Sequence, residues 1–172
     1  DLRLLGVKND TENRFRNERT WTFDVYDQGW RYHMSNIMAA IGLEQLKKFD
    51  KFALKRRNFS NMYDKILKDK VNIKIIDRDY SSIVPHIYPI RINKTVNRDN
   101  IRKTLISKGI QTGVHYFPNH LLTKYRSKNF TSLPITEEIF PELITLPLHP
   151  DLNENDIVFV CNELLNAINQ EI

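Results

Sequence analysis

LITLPLHPDLNENDIVFVCNELLNAI, residues 143–168, decides the fold class. Its first four residues place Ile144 and Thr145 between two leucines, a short strand that Pro147 ends because proline brings no ladder N–H. Asn153 then offers a side-chain oxygen to a helix start, with Glu154 and Asp156 in the first turn where the dipole favours acids. Ile157, Val160, Cys161, Leu164, Leu165 and Ile168 follow at three- and four-residue steps, one apolar face of an amphipathic helix. A strand that stops and hands over at once to a capped helix is the unit step of an α/β architecture.

The same alternation extends upstream. Residues 71–76 and 86–92 are β-branched runs separated by the polar turn 77–82, and 110–114 reads as a further short strand. Asn97 caps a helix over 98–108 that Gly109 stops in the manner of a left-handed C-terminal residue. A proline-bearing polar loop over 117–134 leads to a helix after Thr136, whose Glu137 and Glu138 suit the positive helix end. Residues 71–172 are thus expected to form a small α/β domain with helices packed on a small sheet.

Before it, Ser35 caps a helix whose apolar positions run Ile37, Ala40, Ile41, Leu43, Leu46, Phe49, Phe52 and Ala53. Continued without a break to Leu67 it would be about 45–50 Å long at the α-helical rise, a connector over 35–70 between two bodies. Residues 1–34 show no sustained period. They carry a charge-rich stretch over 9–19 and the aromatics Trp21, Phe23, Tyr26, Trp30 and Tyr32, read as buried anchors of an extended connection closing a preceding domain.

Composition sets the outer limits. The 172 residues include 41% hydrophobic and 27% charged side chains, a net charge of +5 and one cysteine. That is enough chain for a real core, and no apolar run approaches the roughly 20 residues a membrane helix needs. A lone Cys161 closes no disulfide, so a reduced cytoplasmic protein is expected. The five glycines stand singly, which excludes a phosphate-cradling glycine loop within the chain. Opening on Asp1, the sequence reads as part of something longer, with no targeting segment of its own.

Three stretches then point to a family: GWRYHMSNIMAAIGLEQLKKFDKFALKRRNFSNMYDKIL (29–67), KGIQTGVHYFPNHLLTKY (108–125) and LPITEEIFPELITLPLHPDLNENDIVFV (133–160). In order and spacing they resemble the C-terminal portion of the DegT/StrS sugar aminotransferases. The resemblance implies the back part of a fold-type I transferase dependent on pyridoxal 5'-phosphate, a homodimer with its active site at the subunit interface. The implied substrate is a nucleotide-linked keto sugar, aminated with glutamate as donor for surface polysaccharide or related glycan synthesis. It further implies that the lysine, aspartate, stacking aromatic and Gly-Ser/Thr cradle that hold the cofactor lie upstream. Lys8, Lys47 and Lys48 do not match the lysine context, so no catalytic residue is assigned and the isolated chain is expected to be inactive.

Site residues follow from the resemblance. Arg31 stands where the family places asparagine or a basic residue reaching the phosphate of the neighbouring subunit's cofactor, a role a guanidinium suits. His33, at a position often filled by arginine, is expected to bind substrate together with His115 and Tyr116, which match the segment facing the sugar, whose hydroxyls imidazole and phenol can bind. The plainer alternatives are a surface ion pair for Arg31 and a hydrogen-bonded pair at a strand end for His115 and Tyr116. Cys161 on its apolar face reads as an inert core thiol. His115 and His120 lie five apart in a loop without metal-ligand spacing, so no metal is expected. The basic run Lys47, Lys48, Lys51, Lys55, Arg56 and Arg57 is interrupted by Asp50 and reads as a solvated helix face, with no nucleic-acid partner. Two other readings stay open: a non-catalytic remnant or dimerisation module, and a sugar dehydratase of the same family with histidine in place of the lysine.

Overall fold

The computed structural model describes residues 3, 5–7, 16, 24–32, 34–126 and 132–172. Trp21, Phe23, His33, Lys8 and most of the charge-rich stretch 9–19 lie outside the described residues. The chain divides into two compact units, residues 1–49 and 50–172.

The second unit carries the sheet. Helix α2 (Phe49–Leu67) turns Ala53, Phe59, Ser60, Tyr63 and Leu67 inward at three- to four-residue steps, with one longer step after Ala53. Strands β1 (Ile73–Ile75), β2 (Tyr88–Ile92) and β3 (Leu143–Leu146) form an antiparallel sheet in the order β1-β2-β3. The register sets Ile75 opposite Ile90 and Ile90 opposite Ile144, with Tyr88 opposite Leu146. Because side chains alternate along a strand, Tyr88, Ile90 and Ile92 enter the core while Pro89 and Arg91 take the other face. There Arg91 pairs with the almost fully buried Glu142 at 2.6 Å.

Helices α3 (Arg98–Ser107) and α5 (Glu154–Asn169) cover the core face through Ile101, Leu105, Ile157, Val160, Cys161, Leu164 and Ile168. Their ends are those expected from sequence. Asn97 accepts from the amides of Asp99 and Asn100, Gly109 takes φ +78°, and Asn153 with Asp156 closes a reciprocal capping box. Tyr63 stacks on Tyr88 with ring centres 4.6 Å apart and donates its hydroxyl to the Pro147 carbonyl at 2.9 Å.

Several expectations need correction. The helix expected across 35–70 is two helices, α1 (Asn36–Leu46) and α2, because Lys48 N–H bonds Gln45 O and tightens the turn instead of continuing the α pattern. Segment 110–114 adds only one bridge to the sheet, Gly113 to Thr145. Helix α4 (Pro134–Ile139) begins ahead of Thr136, since proline at a first helical position forfeits no internal bond. The basic run is partly internal: Arg56 donates to the carbonyls of Pro85, His86 and Leu148, Arg57 to Ile83 and Lys55 to Pro150. These donors tie two loops to α2.

In the first unit, residues 3 and 5–7 run beside 25–32. Val7 bridges Val25, Leu5 N–H donates to Trp30 O at 3.1 Å, and Tyr32 N–H donates to Arg3 O at 2.9 Å. The aromatics expected as buried anchors are exposed where described: Tyr26, Trp30 and Tyr32 all keep more than half their surface.

Candidate functional site

Two places bring the expected site residues into view, one in each unit. In the first, Gly6 and Gly29 let two backbones touch. A Cβ on Gly29 would stand 1.9 Å from the Gly6 nitrogen, and one on Gly6, which has φ +76°, would stand 2.2 Å from the Asp27 carbonyl oxygen. Only glycine fits at either position. The contact fixes the segment that follows, where Trp30 and Tyr32 stack at 6.5 Å on either side of Arg31 in sequence. Arg31 is exposed, and its guanidinium has no hydrogen-bond or ion-pair partner among the described residues. A planar, permanently charged donor left unpaired fits a phosphate dianion, which it can bind bidentately.

In the second unit, His115 and Tyr116 meet edge to face with ring centres 4.7 Å apart. His115 is half-buried and Tyr116 is 67% exposed. The imidazole is held at two points. Its Nδ1 lies 3.0 Å from Thr145 Oγ1, and its Cε1 lies over Gly113, where a Cβ would approach to 2.7 Å. The Gly113–Thr145 bridge, with N–H to O distances of 3.0 and 2.8 Å, locks the two backbones that carry these contacts. Gly113, His115 and Thr145, but not Tyr116, line a cleft of about 600 Å³ at the end of the sheet, whose lining also includes His86, Thr112, His149, Asp156 and Phe159. Such a surface mixes apolar wall with neutral and charged hydrogen-bonding groups, as a polyhydroxylated ligand requires.

Other candidates resolve into structural roles. His120 Nε2 lies 3.2 Å from Glu137, whose carboxyl is held below the usual glutamate range, first by the Leu133 amide and then by Ser132. Among the described residues no cluster of His, Cys, Asp or Glu is arranged to hold a metal. Cys161 is buried, and burial pushes its thiol up to about 12, so it is protonated and inert at neutral pH. No helix among the described residues is long and apolar enough to cross a membrane.

Thr145, Gly113 and Arg56 escaped sequence reasoning. For Thr145 a signal existed: a threonine inside the aliphatic strand LITL has a hydroxyl that burial obliges to find a partner. For Gly113 and Arg56 there was none, because Thr145, which pairs with Gly113, and the Pro85, His86 and Leu148 carbonyls, which gather Arg56, lie far away in the chain.

Comparison with known proteins finds relatives of this chain among sugar aminotransferases. A Streptococcus pneumoniae protein assigned as a sugar aminotransferase, solved in its PMP form, superposes with a TM-score of 0.86 at 25% identity, covering 99% of this chain and 44% of that one. GDP-perosamine synthase of Escherichia coli O157:H7 is 30% identical over 139 residues, 79% of this chain and 37% of its own length. The UDP-4-amino-4,6-dideoxy-N-acetyl-beta-L-altrosamine transaminase of Campylobacter jejuni serotype O:2 is 27% identical over 88% of this chain and 41% of its own. The chain therefore spans less than half the length of the curated relatives it matches. With residues 1–165 matched by the family model, the chain belongs to the DegT/DnrJ/EryC1/StrS aminotransferase family.

Proposed function

We propose that this chain is the C-terminal portion of a pyridoxal-phosphate-dependent aminotransferase that converts a keto group on a nucleotide-linked sugar to an amine, with glutamate as donor. The observation that carries the reading is the family match over residues 1–165, supported by a fold shared along 99% of the chain with a sugar aminotransferase in its PMP form. Residues 1–34 complete the cofactor domain and the connection expected over 35–70 reduces to α1, while α2 packs into the core of the small domain with 71–172. The protein works as a homodimer in the cytoplasm.

When bound, the cofactor supplies the electron sink that lets an amino group pass from donor to sugar. Arg31 is the residue of this chain suited to the phosphate of the neighbouring subunit's cofactor, because its guanidinium is exposed and unpaired among the described residues. His33, two positions on in the sequence, stays a candidate for binding the sugar substrate. His115 and Tyr116 orient the sugar through hydroxyl contacts, with the half-buried imidazole as the fixed element and the exposed phenol as the adaptable one. The amine that holds the cofactor comes from outside this sequence, so the 172 residues alone are inactive.

The test incubates the whole protein with pyridoxal phosphate, glutamate and a nucleotide-linked keto sugar, and follows 2-oxoglutarate and the aminated sugar. Formation of both in equal amounts is expected, with none from the isolated chain. A deoxygenated product without an amine would replace the reading with a dehydratase, and no cofactor binding at all would replace it with a non-catalytic module.

A further inference from the structure

We infer that the Thr145 hydroxyl donates its proton to His115 Nδ1 and so holds the imidazole with its own proton on Nε2, making Thr145 the positioning residue that turns His115 into a hydrogen-bond donor toward an oxygen of the sugar nucleotide. The inference rests on the reading of His115 as a sugar-facing residue.

Hydrogen-bond satisfaction decides which of the two groups donates. Thr145 is 5% exposed, and its hydroxyl has one partner among the described residues, Nδ1 of His115 at 3.0 Å. A neutral imidazole has one donor and one acceptor nitrogen, while a hydroxyl can play either part. If Nδ1 carried the proton, the hydroxyl would accept it and leave its own proton buried without an acceptor. If the hydroxyl donates, its proton is satisfied, and only a spare lone pair goes unused. An unmet buried donor is the costlier outcome. The protonated nitrogen is then Nε2, which has no partner among the described residues, on a ring that lines the cleft.

Geometry makes the arrangement rigid. Thr145 cannot shift along the sheet, because its N–H and C=O are both engaged by Gly113. The ring cannot drop toward Gly113, and it occupies the space a side chain there would fill. A donor fixed in advance loses little freedom when an oxygen arrives, which favours binding of a hydroxyl or carbonyl oxygen over a cation.

The experiment labels histidine with nitrogen-15 in the whole protein and reads the His115 ring nitrogens at mildly alkaline pH, where imidazole is neutral. A pyridine-type Nδ1 with a pyrrole-type Nε2 is expected. Thr145→Val should mix the two forms and raise KM for the nucleotide sugar about fivefold, the scale of one hydrogen bond, with a smaller change in kcat. Thr145→Ser should restore both readouts, separating the role from a packing defect. A pyrrole-type Nδ1, or a ring spectrum unmoved by Thr145→Val, overturns the inference. The expected spectra with an unchanged KM would support the proton placement while overturning the sugar-facing role of His115, so the two claims fail separately.

Discussion

The two units of this chain bury different things. In residues 1–49 the only buried positions among the described residues are Gly6 and Gly29, whereas residues 50–172 close a core of aliphatic and tyrosine side chains around β2, β3, α3 and α5. Helix α1 has no buried residue, although Ile37, Met38, Ile41, Leu43 and Leu46 are apolar, each more than half exposed. One unit is held by side-chain packing, the other by backbone contact. The lesson is that an apolar sequence does not by itself identify a core: α1 is the more hydrophobic helix, yet α2 is the one that packs.

That contrast can be broken at its strongest point first. Leu164→Ala removes a fully buried side chain and should cost about 2–5 kcal/mol in chemical denaturation of the chain. A loss below 1 kcal/mol would mean that the second unit is not the stable body described. Arg56→Met comes next, at about 1–3 kcal/mol, since the Pro85, His86 and Leu148 carbonyls lose a shared donor while the aliphatic stem is kept. Retained stability would show that water replaces the guanidinium there.

Gly29→Ala probes the first unit alone. Its Cβ would meet backbone that cannot step aside, so the Leu5 and Tyr32 amides should lose about tenfold or more of their protection in hydrogen exchange, with the Ile90 and Ile144 amides unchanged. Loss of protection in both sets would show that the two units unfold together. The smallest effect belongs to Ile41→Ala, expected within about 0.5 kcal/mol because the side chain is exposed. A cost comparable with Leu164→Ala would reveal that α1 is covered in solution, and sedimentation would then identify self-association.

Legibility followed distance along the chain. The caps at Ser35, Asn97 and Asn153, the stop at Gly109 and the strand ending before Pro147 were readable because each depends on a few neighbouring residues. The split between α1 and α2 was not, since Lys47 and Lys48 are ordinary helix formers and nothing local marks a tight turn. Segment 110–114 had the composition of a strand and supplies a single bridge. Of the site, Arg31, His115 and Tyr116 came from resemblance, while what holds them did not.

The sequence by itself determined the helix caps and most elements of the second unit, the α/β class and the family, because periodicity, capping and motif spacing are local properties that survive without a partner. Only the tertiary structure decided that Gly29 touches Gly6, that Arg56 gathers a carbonyl 92 positions away, and that Thr145 reaches the ring of His115 across 30. Those contacts join residues with no preference for one another in the unfolded chain. They exist because packing of the core and pairing of the sheet bring their backbones together, and hydrogen-bond satisfaction then fixes the side chains.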